Sequence, residues 1–192
     1  YFGVKHLICV ANGSLALQLA YKVLNLKGEV ITTPFSFAAT VSTLAWEGLT
    51  PIFGDIDLNS YNLDPSNIEP LITEKTSALV PVHVFGNPCK ADEIKIIAEK
   101  NNLKVIYDAA HAFGVEYKGQ NILNYGDIST VSFHSTKIFH SIEGGALITN
   151  DDDLAKKIRA QINFGITDLG KIKLLGTNAK MNEFEAAMGL CV

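Results

Sequence analysis

Lys104-Val105-Ile106-Tyr107-Asp108-Ala109-Ala110-His111 is the stretch that decides the fold. Its apolar, β-branched run is too short for a helix and reads as a buried strand ending at Asp108. Toward the C-terminus two further short strands follow, Ile128 to Phe133 and Gly145 to Thr149. Asn150-Asp151-Asp152 caps a helix reaching about Asn163, and a last helix starts near Asn182. Toward the N-terminus, Ala91 to Asn101 has helical periodicity, with Asp92 and Glu93 in its first turn where the helix dipole favours acids. Before it lies a strand-like run, Ser77 to Val84, broken by Gly86-Asn87-Pro88. Asp64-Pro65 is expected to open a helix, and Thr50 to Asp57 reads as a strand. Ala38 to Glu47 reads as a helix ended by Gly48, and Glu29 to Thr33 as a strand ended by Pro34. The first unit is a strand, His6 to Ala11, a turn at Asn12-Gly13-Ser14, and a helix from Leu15 to Leu26 stopped by Gly28.

Strands alternating with helical patterns predict an α/β domain with a largely parallel sheet. Functional groups in such sheets gather beyond the carboxyl ends of the strands. Gly13-Ser14, Asp108 and the segment leading to Lys137 all fall at such ends. Without an internal repeat or a Gly/Ser linker, residues 1–192 read as one domain.

Composition excludes several classes. The chain has 192 residues, 47% hydrophobic and 19% charged, which describes a soluble globular protein. A net charge of −4 without a basic cluster argues against a nucleic-acid surface. No apolar run approaches the roughly 20 residues of a membrane span. The chain opens Tyr1-Phe2-Gly3 with neither an initiator Met nor a signal peptide, and we expect it to begin mid-protein. Cys9, Cys89 and Cys191 are far apart, which argues against zinc and disulfides and for reduced thiols in a cytoplasmic protein. His83, His134 and His140 show no metal-ligand spacing, and His83 reads as a hydrogen-bonded structural histidine.

Several residues carry candidate chemistry, each with a plainer alternative. In Ser132-Phe133-His134-Ser135-Thr136-Lys137, a lysine follows an apolar strand among small hydroxyls, just before Gly144-Gly145. A desolvated lysine is a nucleophile toward carbonyls, whereas a solvated one at a strand end does nothing. Asn12-Gly13-Ser14-Leu15 places free backbone N–H groups at a helix N-terminus, which is either a phosphate site or an ordinary cap. Asp108 is either a turn cap or a carboxylate awaiting a cation such as a protonated pyridine nitrogen. His111 could bond a cofactor or cap its loop. Phe37 could cover a planar ring or belong to the core.

Taken in order, the phosphate turn, the aromatic, the strand-end Asp and Ser-x-His-x-x-Lys resemble the DegT/DnrJ/EryC1/StrS family of pyridoxal-phosphate sugar aminotransferases. The likeness runs from about His6 to the last residue, and its specific parts are Asp108 to Gly114 and Ser132 to Lys137. It implies the large domain of the PLP-dependent transferase fold type I. It also implies that an N-terminal arm and a C-terminal small domain lie outside this sequence, which makes the chain a fragment of the family's full length.

The resemblance assigns roles residue by residue. Lys137 would hold pyridoxal 5'-phosphate as an internal aldimine and shuttle the proton of the 1,3-shift. Asp108 would pair with the pyridinium nitrogen, Phe37 would stack on the ring, and His111 would approach its phenolic side. Gly13, Ser14, the backbone at Leu15 and the Ser132 hydroxyl would hold the phosphate. Ser14 stands where the family usually has Thr, and Leu15 where it usually has a small residue. Asn178 matches an asparagine that reaches the phosphate of the neighbouring subunit, which implies a homodimer with shared sites.

The expected reaction moves an amino group from L-glutamate to a keto sugar nucleotide in amino-sugar biosynthesis, for O-antigen, polysaccharide or antibiotic sugars. Lys137 separates the chain from relatives that dehydrate at C3, which carry His there. His134 and the sequence through Gly145 resemble members that aminate C4 of dTDP-4-keto-6-deoxyglucose. The competing expectation is a non-catalytic binding or regulatory homologue. A nicotinamide enzyme lacks its glycine fingerprint here.

Overall fold

The computed structural model describes residues 2–167 and 170–192. The chain begins with β1 (His6–Val10), α1 (Gly13–Val23), β2 (Glu29–Thr32), α2 (Ala38–Trp46), β3 (Thr50–Phe53) and β4 (Thr76–Leu79). It continues with α3 (Ala91–Lys100), β5 (Lys104–Asp108) and a two-stranded ribbon of β6 (Glu116–Tyr117) and β7 (Gln120–Asn121). The last elements are β8 (Ile128–Ser132), β9 (Gly145–Thr149), α4 (Asp152–Gln161) and α5 (Glu183–Cys191).

The main sheet has seven strands in the order β1-β9-β8-β5-β4-β2-β3. Every pairing among β8, β5, β4, β2 and β3 is parallel, and β9 runs antiparallel to both β8 and β1. The carboxyl ends of β1, β2, β5 and β8 therefore share one edge, and β9 starts there, with Gly145 opposite both Val10 and Ser132.

A core lies on each face of the sheet, because successive side chains point to opposite sides. Val30, Ala78, Val80, Ile106 and Leu147 pack with α1 and with Ala155 and Ile158 of α4. Ile31, Leu79, Val105, Tyr107 and Ile148 pack on the other face with α3, Ile122 and Leu123. This double burial is why the central strands read as unbroken apolar runs. Among the described residues, no helix is long and apolar enough to cross a membrane.

The element order matches the sequence reading, with four differences, one being that the strand expected over Thr50 to Asp57 is regular only over Thr50–Phe53. Asp64-Pro65 opens no α-helix but two single 3-10 turns, Pro65–Asn67 and Glu69–Leu71. Pro70, which has no N–H to give, stops a longer helix from propagating. The strand expected over Ser77 to Val84 is regular only over Thr76–Leu79. Pro81 then interrupts the ladder, leaving a single bridge between Val82 and Asp108. The β6–β7 ribbon was not foreseen, since two-residue strands leave no periodicity to read.

Candidate functional site

A cavity of about 640 Å³ opens at the shared carboxyl edge. Gly13, Ser14, Phe37, Asp108, His111, Ser132 and Lys137 all line it, contributed by segments far apart in sequence.

The turn after β1 comes first. The Asn12 side chain caps α1 by accepting the Leu15 N–H at 2.9 Å. The N–H groups of Gly13 and Ser14, in the first turn of α1, have no intrahelical acceptor and face the cavity edge, an anion-binding arrangement. Close packing holds this turn in place. A Cβ on Gly145 would lie 2.7 Å from the Asn12 carbonyl carbon and 2.8 Å from the Gly13 nitrogen. A Cβ on Gly13 would lie 3.0 Å from Ser132 Cβ. The Gly144-Gly145 pair, noted in the sequence only for its place, lets β9 approach the turn and brings Ser132 beside it.

Asp108 ends β5 and is buried, 5% exposed. Its Oδ2 accepts the Thr40 hydroxyl at 2.7 Å and its Oδ1 accepts the Ala110 N–H at 3.1 Å. Among the described residues it has no cationic partner within ion-pair distance. A carboxylate so placed beside a cavity suits a cation arriving from that cavity.

Lys137 is half-buried on a loop folded back on itself. The Phe133 N–H donates to Gly144 O at 2.8 Å, the Ser135 N–H to Ile142 O at 2.8 Å, and the Lys137 N–H to His134 O at 2.9 Å. The loop turns through Ile142 (φ 70°) and Gly144 (φ 154°), left-handed positions that bring the lysine back to the cavity instead of letting the chain run on. Among the described residues its ammonium has no carboxylate partner within ion-pair distance. His111, three residues beyond the end of β5, lines the same cavity, and its pKa is lowered by partial burial and then by the charge of Lys137, with Asp108 opposing.

Phe37 caps α2 with an extended backbone and presents a ring that is 78% exposed to the cavity wall. It is no core residue. His134 Nε2 lies 3.5 Å from Glu143 Oε1, and both line the cavity.

Two predicted residues stand apart. Leu15 does not line the cavity, and its N–H is taken by the Asn12 carboxamide. Asn178 is exposed, does not line its own chain's cavity, and accepts from Lys180 Nζ at 2.9 Å. His83 is a buried histidine as expected. Its Nδ1 accepts the Cys89 N–H at 3.1 Å, its ring stacks on Tyr107 with centroids 4.7 Å apart, and its Nε2 has no partner in the described structure. Burial pushes its pKa down to about 3.

Sequence reasoning missed Thr40, Ser36 and Glu143. The signal for Thr40 was available: it lies three residues after Phe37, one helical turn into α2.

The family model for the DegT/DnrJ/EryC1/StrS aminotransferase family matches residues 1–191. A dTDP-4-amino-4,6-dideoxy-D-glucose transaminase of Shigella dysenteriae is 50% identical over 190 residues, 99% of this chain and 52% of the relative. The crystal structure of DesI in the presence of its TDP-sugar product superposes with a TM-score of 0.94 at 46% identity, covering 98% of this chain and 48% of that one. NtdA from Bacillus subtilis with bound cofactor PMP gives a TM-score of 0.92 at 33% identity, covering 99% of this chain and 44% of that one. The chain thus spans about half the length of these relatives. Its fold is that of PLP-dependent aminotransferases of fold type I, and the chain belongs to the DegT/DnrJ/EryC1/StrS aminotransferase family.

Proposed function

We propose that the intact protein transfers an amino group from L-glutamate to a keto sugar nucleotide in amino-sugar biosynthesis, with pyridoxal phosphate as cofactor. The acceptor we favour is C4 of dTDP-4-keto-6-deoxyglucose. The observation that carries this reading is the convergence of Lys137 and Asp108 on one cavity, neither holding an ion-pair partner among the described residues.

The residues present fit the cofactor. The turn at Gly13 and Ser14, with Ser132 beside it, makes a cradle whose backbone a Cβ at Gly145 would displace. Among the described residues the buried carboxylate of Asp108 has no cation within ion-pair distance, and Phe37 is largely exposed. Bound there, pyridoxal phosphate supplies an electron-withdrawing ring that stabilises negative charge on the carbon next to the transferred nitrogen.

The chain's own groups do the rest. Ser14, Ser132 and the N–H groups of the first turn of α1 hold the phosphate. Asp108 would bind the ring nitrogen and hold its proton, and Phe37 would cover one face of the ring against water. Lys137 Nζ would be the amine that holds the cofactor at its carbonyl carbon and, when free, the base placed to move a proton beside it. His111, held toward its neutral form by burial and by Lys137, can offer a neutral ring nitrogen at the cavity rim. The alternative of a non-catalytic homologue draws no support from a cavity that keeps both Lys137 and Asp108.

The intact protein mixed with pyridoxal phosphate should absorb near ~420 nm, and Lys137→Ala should abolish that band. Mass spectrometry after incubation with glutamate and a panel of keto sugar nucleotides should then find the C4-aminated dTDP sugar. A wild-type protein without the band, or without an amino product from any keto sugar, would sink the reading.

A further inference from the structure

Thr40 is fully buried in α2, and its hydroxyl does not behave like its helical neighbours'. Ser42 donates back to Ala38 O at 2.8 Å and Thr43 to Ala39 O at 2.7 Å, the usual local bond of a hydroxyl in a helix. Thr40 instead donates at 2.7 Å to Asp108 Oδ2, 68 residues away. A hydroxyl has one proton, and a carboxylate only accepts. With its proton committed to Asp108, Thr40 Oγ1 must accept from Ser36, whose Oγ lies 2.6 Å away. The chain therefore has one direction, Ser36 to Thr40 to Asp108, and Ser36 sits on the cavity wall. With the Ala110 N–H on its other oxygen, Asp108 is held by donors on both oxygens and offers only acceptor capacity to the cavity.

We infer that Thr40, backed by Ser36, is the positioning residue that orients the Asp108 carboxylate and keeps it a pure acceptor toward a protonated ring nitrogen. The inference rests on the reading of the cavity as a pyridoxal-phosphate site. Donors on both oxygens fix the plane of the carboxylate, and hydrogen bonds to charged groups are the strong ones. Without Thr40 the carboxylate loses the donor on Oδ2 and can turn away from the cavity. The ring nitrogen then gives up its proton more readily.

The test uses the intact protein and three variants, Thr40→Val, Thr40→Ser and Ser36→Ala. Three quantities are measured: the nitrogen-15 resonance of ring-labelled cofactor, the dissociation constant of pyridoxamine phosphate by fluorescence titration, and the melting temperature without cofactor. We expect Thr40→Val to bind about tenfold more weakly, the loss of one charge-assisted bond, and to shift the resonance toward the unprotonated ring. Thr40→Ser should restore both, and Ser36→Ala should fall between. Should the valine not pack, Thr40→Ala removes the same hydroxyl and gives the same comparison. A Thr40→Val protein that melts lower but keeps the wild-type resonance and affinity overturns the inference and leaves the cofactor reading standing. A wild-type protein that binds neither cofactor form overturns both.

Discussion

Lys137 and Asp108 bring opposite charges to one small cavity, and among the described residues neither has a partner within ion-pair distance. His83, just behind them, shows the opposite case. It is buried and neutral, and that has a cost in acid. Its native pKa is depressed to about 3 from an ordinary 6.5, so between these values the unfolded chain binds a proton that the folded one refuses. Stability therefore rises with pH across that window and is lost as pH falls below 6.5. His83→Gln should flatten this acid limb by an amount on the order of a few kcal/mol at pH 4 relative to pH 7, read from urea midpoints along the pH series.

At the scale of elements, the site depends on how closely β9 approaches the turn before α1. Gly145→Ala would push a methyl group to 2.7 Å from backbone that cannot swing aside. We expect a loss of about 1–3 kcal/mol in denaturant unfolding. We also expect binding of pyridoxal phosphate to weaken more than binding of pyridoxal, since the phosphate end of the site is what moves. Unchanged phosphate preference would mean that the turn does not hold that group. The far end of the described chain offers a separate check. Asn182 and Glu185 form a reciprocal capping box on α5. Asn182→Ala should cost about 1 kcal/mol of stability while leaving cofactor absorbance unaltered.

For the whole molecule, the position of Asn178 matters. It is exposed and does not line its own chain's cavity, which accords with a role in a partner's site. If sites are shared across a two-fold, mixing Lys137→Ala and Asn178→Ala subunits of the intact protein should recover activity that neither variant has. Random pairing gives half heterodimers with one intact site each, so about a quarter of wild-type turnover is expected. No recovery after subunit exchange, shown by mass, would remove Asn178 from the neighbouring site.

The strand-and-helix order was legible in the sequence because buried parallel strands leave short apolar runs, and glycine, proline and Asx residues punctuate them. Lys137, Asp108, Ser14 and Phe37 were legible because each lies just beyond a strand or at a helix start, where an α/β sheet gathers its chemistry. Failures came where geometry outweighed pattern: Pro70 cut the helix expected after Asp64 to single turns, and β6–β7 was too short to leave a period. The partners of Asp108 could not be read at all. That Thr40 turns its proton away from its own helix to a carboxylate 68 residues on follows from the packing of α2 against the sheet edge, and residue order alone does not encode that contact.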